Sequence, residues 1–277
     1  MSPIDLHVHP PYPRFYEHPS MKEAIAYFRT KTLPNNMEEA LRVFKKCGIS
    51  KSILLPLECD TVVFTELVRG EKIIPNEYCA QLTRTYPDKL ASFACVDPHR
   101  GREAVEEFEK YVKDFGFIGL KTHAALQAFY PNDSAVYPFY EKCVELDVPA
   151  LFHCGTTGLY YTRMKYTRPL YLDDVAIDFP KLKIICAHFG WPWIDECLAL
   201  AVRHTNVFVE LSGWYPKYFM PQLVQYMTKV IPQKFLFGSD YPLIDPGRWL
   251  AEFNQISMGD DVREMILEKN AQKLLHI

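Results

Sequence analysis

The sequence lacks any apolar run long enough to cross a membrane. Its longest apolar runs, such as Ser52–Leu57 and Lys183–Ala187, fall far short of the roughly 20 residues that a membrane-spanning helix needs. It also lacks basic runs, and its formal charge of −3 with a sequence pI near 6.3 argues against nucleic acid as the main partner. No charged leader followed by an apolar stretch opens the chain, so we expect that the protein is not secreted.

The eight cysteines lack the spacing of a metal or redox motif. None of them forms a Cys-x-x-Cys pair, which zinc ribbons and thiol redox sites require. Most lie inside apolar runs such as Phe93–Val96, where a thiol behaves as a small hydrophobic group. A chain of 277 residues is also too long to need disulfides for its stability. We therefore expect reduced thiols in the core and a cytoplasmic location.

The motifs of nucleotide-binding folds are missing as well, since neither Gly-x-Gly-x-x-Gly nor a P-loop follows the first predicted strand. The sequence instead alternates short apolar runs with segments of helical period. The eight predicted strands are Pro3–His9, Lys51–Pro56, Leu90–Val96, Phe117–Thr122, Pro149–His153, Lys183–His188, Val207–Ser212 and Lys234–Ser239. The predicted helices are Met37–Cys47, Asn76–Tyr86, Arg102–Phe115, Ala135–Leu146, Leu172–Phe179, Pro192–Arg203, Pro221–Ile231, Pro246–Ile256 and Asp260–Leu275.

This alternation predicts an α/β fold with a parallel sheet. The strands are continuously apolar, as expected when both faces of a sheet are covered. Eight βα units in about 250 residues match a (β/α)8 TIM barrel, and we expect one domain over residues 1–277. A doubly wound open sheet is the alternative. Three βα loops are long, namely Pro10–Asn36, Leu57–Pro75 and Gly155–Pro169 after strands 1, 2 and 5, and they should stand on the carboxyl face of the barrel.

Ligand-type side chains occur at the ends of several predicted strands. In Asp5-Leu-His-Val-His9, the period of two places Asp5, His7 and His9 on one face of strand 1. Ordinary strand histidines are the plainer explanation of that pair. However, His153, His188 and Asp240 end strands 5, 6 and 8, and polar groups at such positions are costly if they are buried alone. The convergence predicts a metal site formed by His7, His9, His153 and Asp240, with His188 either a ligand or a partner of the reacting group.

Asp-x-His-x-His on strand 1, single histidines after strands 5 and 6, and Gly-Ser-Asp-Tyr-Pro on strand 8 resemble the amidohydrolase superfamily. The resemblance is greatest to the amidohydrolase-related (family 2) group of TIM-barrel metal-dependent hydrolases, hydratases and non-oxidative decarboxylases. It spans the chain from Asp5 to the segment Asn270–Leu275. It implies a divalent metal ion and favours Zn²⁺ over Mn²⁺ or Fe²⁺. It also favours a site with one ion over a site with two.

The leading functional prediction is a metal-dependent hydrolase of a small amide, ester or lactone. A metal lowers the pKa of bound water from about 15.7 toward 7, and Asp240 would then take a proton from that water. His188 would polarise the substrate. The first alternative is a metal-dependent non-oxidative decarboxylase, or hydratase, of a small carboxylic acid. The others are a metal-free lactonase and a non-catalytic metal-binding barrel.

Further residues are assigned to the substrate or to a second ion. The resemblance implies one of two roles for Lys121, which ends strand 4. Either it is carboxylated and bridges two metal ions, with His188 as a ligand of the second ion, or it binds a substrate carboxylate as a point charge. The remaining candidates for substrate binding are His123, Tyr160, Arg163, Arg168 and Trp214. We expect a small-molecule partner, no nucleic acid and no membrane, and we allow for a homodimer.

Overall fold

A computed structural model describes residues 1–17, 19–59, 71–159 and 162–277. Within these residues, eight parallel strands form the barrel and two antiparallel strands, β3 and β4, form a hairpin beside it. The strands in chain order are β1 Ile4–Val8, β2 Lys51–Leu54, β3 Leu57–Cys59, β4 Glu71–Ile74, β5 Leu90–Ser92, β6 Leu120–Thr122, β7 Ala150–His153, β8 Ile184–Ala187, β9 Val207–Glu210 and β10 Phe235–Leu236.

The barrel is closed by two bridges between its sheets. Strands β1, β2 and β5 form one parallel sheet, and β6 to β10 form a second one in chain order. Ala94 pairs with Leu120 to join β5 to β6, while Val8 pairs with Tyr241 to join β1 to the segment after β10. The predicted TIM barrel is therefore confirmed, and the open sheet is wrong.

Helices surround the barrel and follow the predicted segments closely. They are α1 Pro13–Glu17, α2 Pro19–Phe28, α3 Met37–Lys46, α4 Asn76–Thr85, α5 Arg102–Phe115, α6 Ala124–Gln127, α7 Tyr137–Glu145, α8 Tyr171–Asp178, α9 Ile194–Arg203, α10 Pro221–Gln225, α11 Pro246–Phe253, α12 Asp260–Glu264 and α13 Asn270–Leu275. In the described part of the chain, no helix is both long and apolar enough to traverse a bilayer. The cytoplasmic location stays a prediction.

Two of the long loops contain secondary structure that the sequence reasoning did not predict. Helices α1 and α2 lie in the segment after β1, and the hairpin of β3 and β4 lies in the segment after β2. Asn36 caps the following helix α3 by accepting a hydrogen bond from the backbone N–H of Glu39 at 3.0 Å, which fixes where the first insertion ends.

The amino-terminal half of the barrel interior is apolar. Buried side chains from strands around the barrel meet the carboxyl-terminal helix α13 there, and we call this group the amino-end cluster. It includes Ile4, Leu6, Ile53, Phe93, Leu151, Ile185, Leu236, Leu274 and Leu275. Because these side chains fill and close one end of the barrel, the polar strand ends are confined to the other end.

Candidate active site

A cavity of about 60 Å³ lies where the carboxyl ends of the barrel strands meet. Helix α2 and the segment after β7 form its roof, and we call it the central cavity. Its titratable lining residues are His7, His9, Lys121, His123, His153, His188 and Asp240, while Met21, Tyr27, Phe28, Leu159 and Trp214 contribute apolar surface. The structure thus brings most of the predicted site residues to one cavity.

Three of the four predicted metal ligands converge on one point. His7 Nε2 and His9 Nε2 lie 3.7 and 3.5 Å from the same oxygen, Oδ1 of Asp240. Ligand atoms of these three residues fall within 4.8 Å of one another, and all three residues are buried. Burial and the nearby charge of Lys121 lower the pKa of His9 to about 3, so its imidazole is neutral, as a metal ligand must be.

The outward-facing ring nitrogens of this pair are held by acceptors. His7 Nδ1 lies 3.2 Å from Glu210 Oε2, and His9 Nδ1 lies 3.0 Å from the backbone oxygen of Leu55. A carbonyl and a carboxylate accept hydrogen bonds, so each Nδ1 carries the proton and each Nε2 presents its lone pair toward Asp240. Metal-binding histidines in proteins are typically oriented in this way.

His153 departs from the predicted four-ligand set. Its Nδ1 lies 3.1 Å from Nε2 of His188, outside the compact group formed with Asp240. The outer nitrogens of both rings again have acceptors, since His153 Nε2 lies 3.2 Å from the oxygen of Thr156 and His188 Nδ1 lies 2.8 Å from Ser212 Oγ. With those protons outward, two lone pairs face each other at 3.1 Å, and such a contact needs a proton or a cation to relieve it.

The backbone is strained at two of the candidate residues. His188 has a φ of 58° and Asp240 a φ of 75°, in the left-handed region that glycine occupies most easily. Each such conformation costs on the order of 1–3 kcal/mol and persists only where the surroundings enforce it. For Asp240 these include hydrogen bonds from its backbone N–H to the oxygen of His7, at 2.9 Å, and from Leu243 N–H to its own oxygen, at 2.9 Å.

Asp5 does not face the cavity with the two histidines of its strand. It accepts hydrogen bonds from the backbone N–H and hydroxyl of Ser239 at 2.8 and 2.6 Å, and from His7 N–H at 3.1 Å. The pairing register of β1 shifts between Asp5 and Val8, which interrupts the regular alternation of side chains. The predicted common face was therefore wrong for Asp5, whose role is to tie β1 to the turn that carries Asp240.

Lys121 is the unusual charge in the central cavity. Its side chain is 1% exposed, and among the described residues its Nζ has no hydrogen-bond partner. Burial lowers the pKa of Lys121, while the carboxylates of Asp240 and Glu210 oppose that shift. A buried ammonium without a partner is unfavourable, so this arrangement is suited to an anionic group that enters the cavity.

Glu210 and Ser212 are site residues that the sequence reasoning missed. Glu210 is completely buried at the end of β9, with Oε1 accepting from Ser212 N–H at 2.7 Å and Oε2 accepting from Ser212 Oγ at 2.7 Å. The available signal was an acidic residue inside an otherwise apolar predicted strand, at the position where the neighbouring strands carry ligand-type side chains.

The other predicted substrate-binding residues divide into two groups. Trp214 and His123 line the cavity, and the His123 ring stacks on His153 at a centroid distance of 4.0 Å. Arg163 and Arg168 are exposed and do not line it. Arg168 instead forms an ion pair with Glu196 at 2.6 Å, because a guanidinium at the surface finds a carboxylate partner without being desolvated. Tyr160 lies outside the described residues.

A family model described as amidohydrolase matches residues 4–277. A 2-keto-4-carboxy-3-hexenedioate hydratase from a Sphingobium species is 31% identical over 134 residues, which span 42% of this chain but only 39% of that protein. A γ-resorcylate decarboxylase from a Polaromonas species is 22% identical over 249 residues, covering 73% of this chain and 75% of that protein.

Solved structures share the fold. An uncharacterised TIM-barrel protein from Bordetella bronchiseptica superposes with a TM-score of 0.85 at 21% identity, covering 100% of this chain and 99% of that chain. A dihydroxybenzoic acid decarboxylase from a Polaromonas species, solved with bound manganese and the inhibitor 2-nitroresorcinol, has a TM-score of 0.71 at 19% identity and covers 99% and 97% of the two chains.

Proposed function

The chain belongs to the amidohydrolase family, and from that premise we propose that it is a metal-dependent, non-oxidative decarboxylase of a small carboxylic acid. The observation that carries the proposal is the buried, unpartnered Lys121 ammonium in the same cavity as the His7, His9 and Asp240 group. A cavity with this cation and these ligand-type groups suits a substrate that brings its own carboxylate.

The donor set fits a divalent metal ion. His7 Nε2, His9 Nε2 and a carboxylate oxygen of Asp240 would hold it, and His153 through Nδ1 is the candidate for a fourth ligand. Neutral imidazoles with one carboxylate suit Zn²⁺, and Mn²⁺ is the metal in the related Polaromonas structure. When bound, the ion would supply Lewis acidity to a substrate oxygen.

The protein's own residues would then perform three tasks. Lys121 would hold a substrate carboxylate, and the apolar roof of Met21, Phe28 and Leu159 would exclude water. The bond between carbon and carboxylate breaks, its electron pair stays on carbon, CO₂ leaves, and that carbon takes up a proton. Asp240 lines the same cavity, and its carboxyl group would deliver this proton.

Charge at the mouth of the cavity also supports an anionic substrate. A larger groove of about 800 Å³, the outer groove, shares Tyr27, Phe28 and Trp214 with the central cavity. Its described lining has four cationic side chains against the single carboxylate of Asp245: Arg29, Lys31, Lys217 and Arg248. A cationic cleft raises the encounter rate of anions, and this effect falls as ionic strength rises.

This proposal replaces the leading sequence prediction of hydrolysis with its alternative. Curated relatives of the chain include a hydratase and γ-resorcylate decarboxylases, which are named for carboxylate substrates. Hydration of an unsaturated carboxylate is the second candidate, because the hydratase relative has the higher identity, although over less than half of either chain.

A substrate panel with measured metal content tests the proposal. The protein, loaded separately with Zn²⁺ and Mn²⁺, would be incubated with hydroxybenzoates, unsaturated di- and tricarboxylates, lactones and esters. We expect CO₂ release from one class of acid that disappears on chelation. Hydration without CO₂ release would favour the second candidate, and turnover confined to lactones or esters would contradict both.

A further inference from the structure

We propose that Glu210 is a positioning residue that keeps the ring proton of His7 on Nδ1 and thereby keeps His7 Nε2 available to bind a metal ion. Through Ser212, the same carboxylate sets the ring proton of His188. The inference rests on the metal centre of the proposed function and assigns a role to two residues outside the ligand set.

The contacts of the Glu210 carboxylate define the direction of each hydrogen bond. Oε1 accepts from Ser212 N–H at 2.7 Å, and Oε2 lies 2.7 Å from Ser212 Oγ and 3.2 Å from His7 Nδ1. Burial raises the pKa of Glu210 to about 8, and the two hydrogen bonds from Ser212 oppose that shift. In its ionised form the carboxylate has only acceptors, so both partners of Oε2 donate to it. The proton of His7 is therefore on Nδ1, and its Nε2 lone pair faces Asp240.

Ser212 extends this control to a second imidazole. Its hydroxyl has one proton, which it donates to Glu210, so Oγ can only accept from His188 Nδ1 at 2.8 Å. His188 consequently carries its proton on Nδ1 and presents Nε2 to the cavity. One buried carboxylate thus orients two of the five imidazoles that line the central cavity.

The space for this carboxylate depends on the residue at position 238. A Cβ atom on Gly238 would lie 1.8 Å from Glu210 Oε1 and 3.0 Å from the Cβ of His7. Any side chain there would displace the carboxylate from its position between Ser212 and His7. The glycine of the Gly-Ser-Asp segment therefore makes room for Glu210, while the aspartate of the same segment enters the cavity.

The substitution Glu210→Gln places a hydrogen-bond donor where the carboxylate has an acceptor, without changing the shape of the side chain. Ser212 N–H still needs an acceptor, so the amide oxygen occupies the Oε1 position and the NH₂ group occupies the Oε2 position. The NH₂ group faces both Ser212 Oγ and His7 Nδ1, and with its two protons it donates to each of them. Although Ser212 Oγ also lies 3.1 Å from His7 Nδ1, a donor at the Oε2 position favours the ring proton of His7 on Nε2. Glu210→Ala instead leaves a space in which water can accept from Nδ1.

A packing role and a positioning role for Glu210 therefore predict opposite orders of metal affinity for the Gln and Ala variants. If Glu210 only fills space, the isosteric Gln variant should resemble the wild type and the Ala variant should be the poorer of the two. If Glu210 sets the ring proton of His7, the Gln variant should bind metal more weakly than the Ala variant. The order of the two variants separates positioning from packing.

Glu58 provides a matched control for the substitution. It is also completely buried, and its Oε1 accepts from the backbone N–H of Asn76 at 2.8 Å, as Glu210 accepts from Ser212. The same oxygen lies 3.4 Å from Lys72 Nζ. Glu58→Gln thus repeats the chemical change in a similar environment and should leave Zn²⁺ affinity within twofold of the wild type.

The experiment combines Zn²⁺ affinity with a direct measurement of the ring protons. Zn²⁺ binding to the full chain is measured by competition with a chromogenic chelator, and ¹⁵N NMR of histidine-labelled, metal-free protein reports which nitrogen of His7 is protonated. We expect Glu210→Gln to weaken Zn²⁺ binding by about 10- to 100-fold, more than Glu210→Ala, and to move the His7 proton to Nε2. Circular dichroism confirms that each variant is folded.

The outcomes distinguish this inference from the proposed function. Wild-type protein that binds no Zn²⁺ would overturn the metal-dependent function, and the role of Glu210 with it. Wild-type protein that binds Zn²⁺, with Glu210→Gln within twofold of it or with the His7 proton still on Nδ1, would overturn the role of Glu210 alone. An affinity in Glu210→Ala below that of Glu210→Gln would assign Glu210 to packing and also overturn the inference.

Discussion

The two ends of the barrel interior are built by the same strands but have opposite chemistry. In β7, Leu151 is completely buried in the amino-end cluster, while His153, two residues later, enters the central cavity. At one end, apolar side chains pack against α13 and stabilise the fold. At the other end, imidazoles, a carboxylate and an ammonium are buried together, which opposes folding but provides a reactive site. Stability and function are therefore separated along β7.

The sharpest test of the comparison is His153→Ala at the cavity end of β7. We expect activity to fall by on the order of 1,000-fold, which corresponds to about 4 kcal/mol in the barrier. The free energy of unfolding should change by only about 1 kcal/mol, because the imidazole is buried among the polar and charged groups of the central cavity rather than in the apolar amino-end cluster. Steady-state kinetics and denaturant unfolding measure the two effects, and full turnover by the variant would remove His153 from the site.

The matched substitution Leu151→Ala should show the reverse pattern. It removes a completely buried side chain from the amino-end cluster, and we expect unfolding to become easier by about 2–5 kcal/mol. Activity per folded molecule should stay within about twofold, since the side chain belongs to the amino-end cluster and does not line the central cavity. If the stability loss were small and the activity loss large, the separation of the two ends would not hold.

Lys121→Met tests whether the buried ammonium binds the substrate and at the same time destabilises the fold. Removing an unpartnered buried charge should raise the free energy of unfolding by about 1–3 kcal/mol. Loss of a charge-assisted contact should raise KM for a carboxylate substrate by about 10- to 100-fold. Thermal unfolding and the split between kcat and KM measure both, and an unchanged KM with loss of a metal ion would indicate a carboxylated lysine instead.

The sequence predicted the barrel and most of the cavity because both depend on local patterns. Continuous apolar runs marked the strands, and a ligand-type residue after such a run, as at His153 or Asp240, marked its carboxyl end. Asp5 was misplaced because a register shift inside β1 has no signature in the alternation of residues. Glu210 was missed because its role depends on His7, more than 200 positions away along the chain.

The smallest expected effect concerns Arg168, which sequence reasoning placed at the site and the structure places at the surface. Its ion pair with Glu196 is exposed, and such pairs contribute about 0–1 kcal/mol. Arg168→Ala should therefore leave kcat/KM within about twofold and stability within about 0.5 kcal/mol, with Glu196→Ala as the matched control for the lost pair. A large rise in KM in Arg168→Ala, absent from Glu196→Ala, would mean that the guanidinium leaves its partner to contact substrate. The reactive end of the barrel would then extend beyond the strand ends to the loop after β7, and the comparison of the two ends would need that loop as a third region.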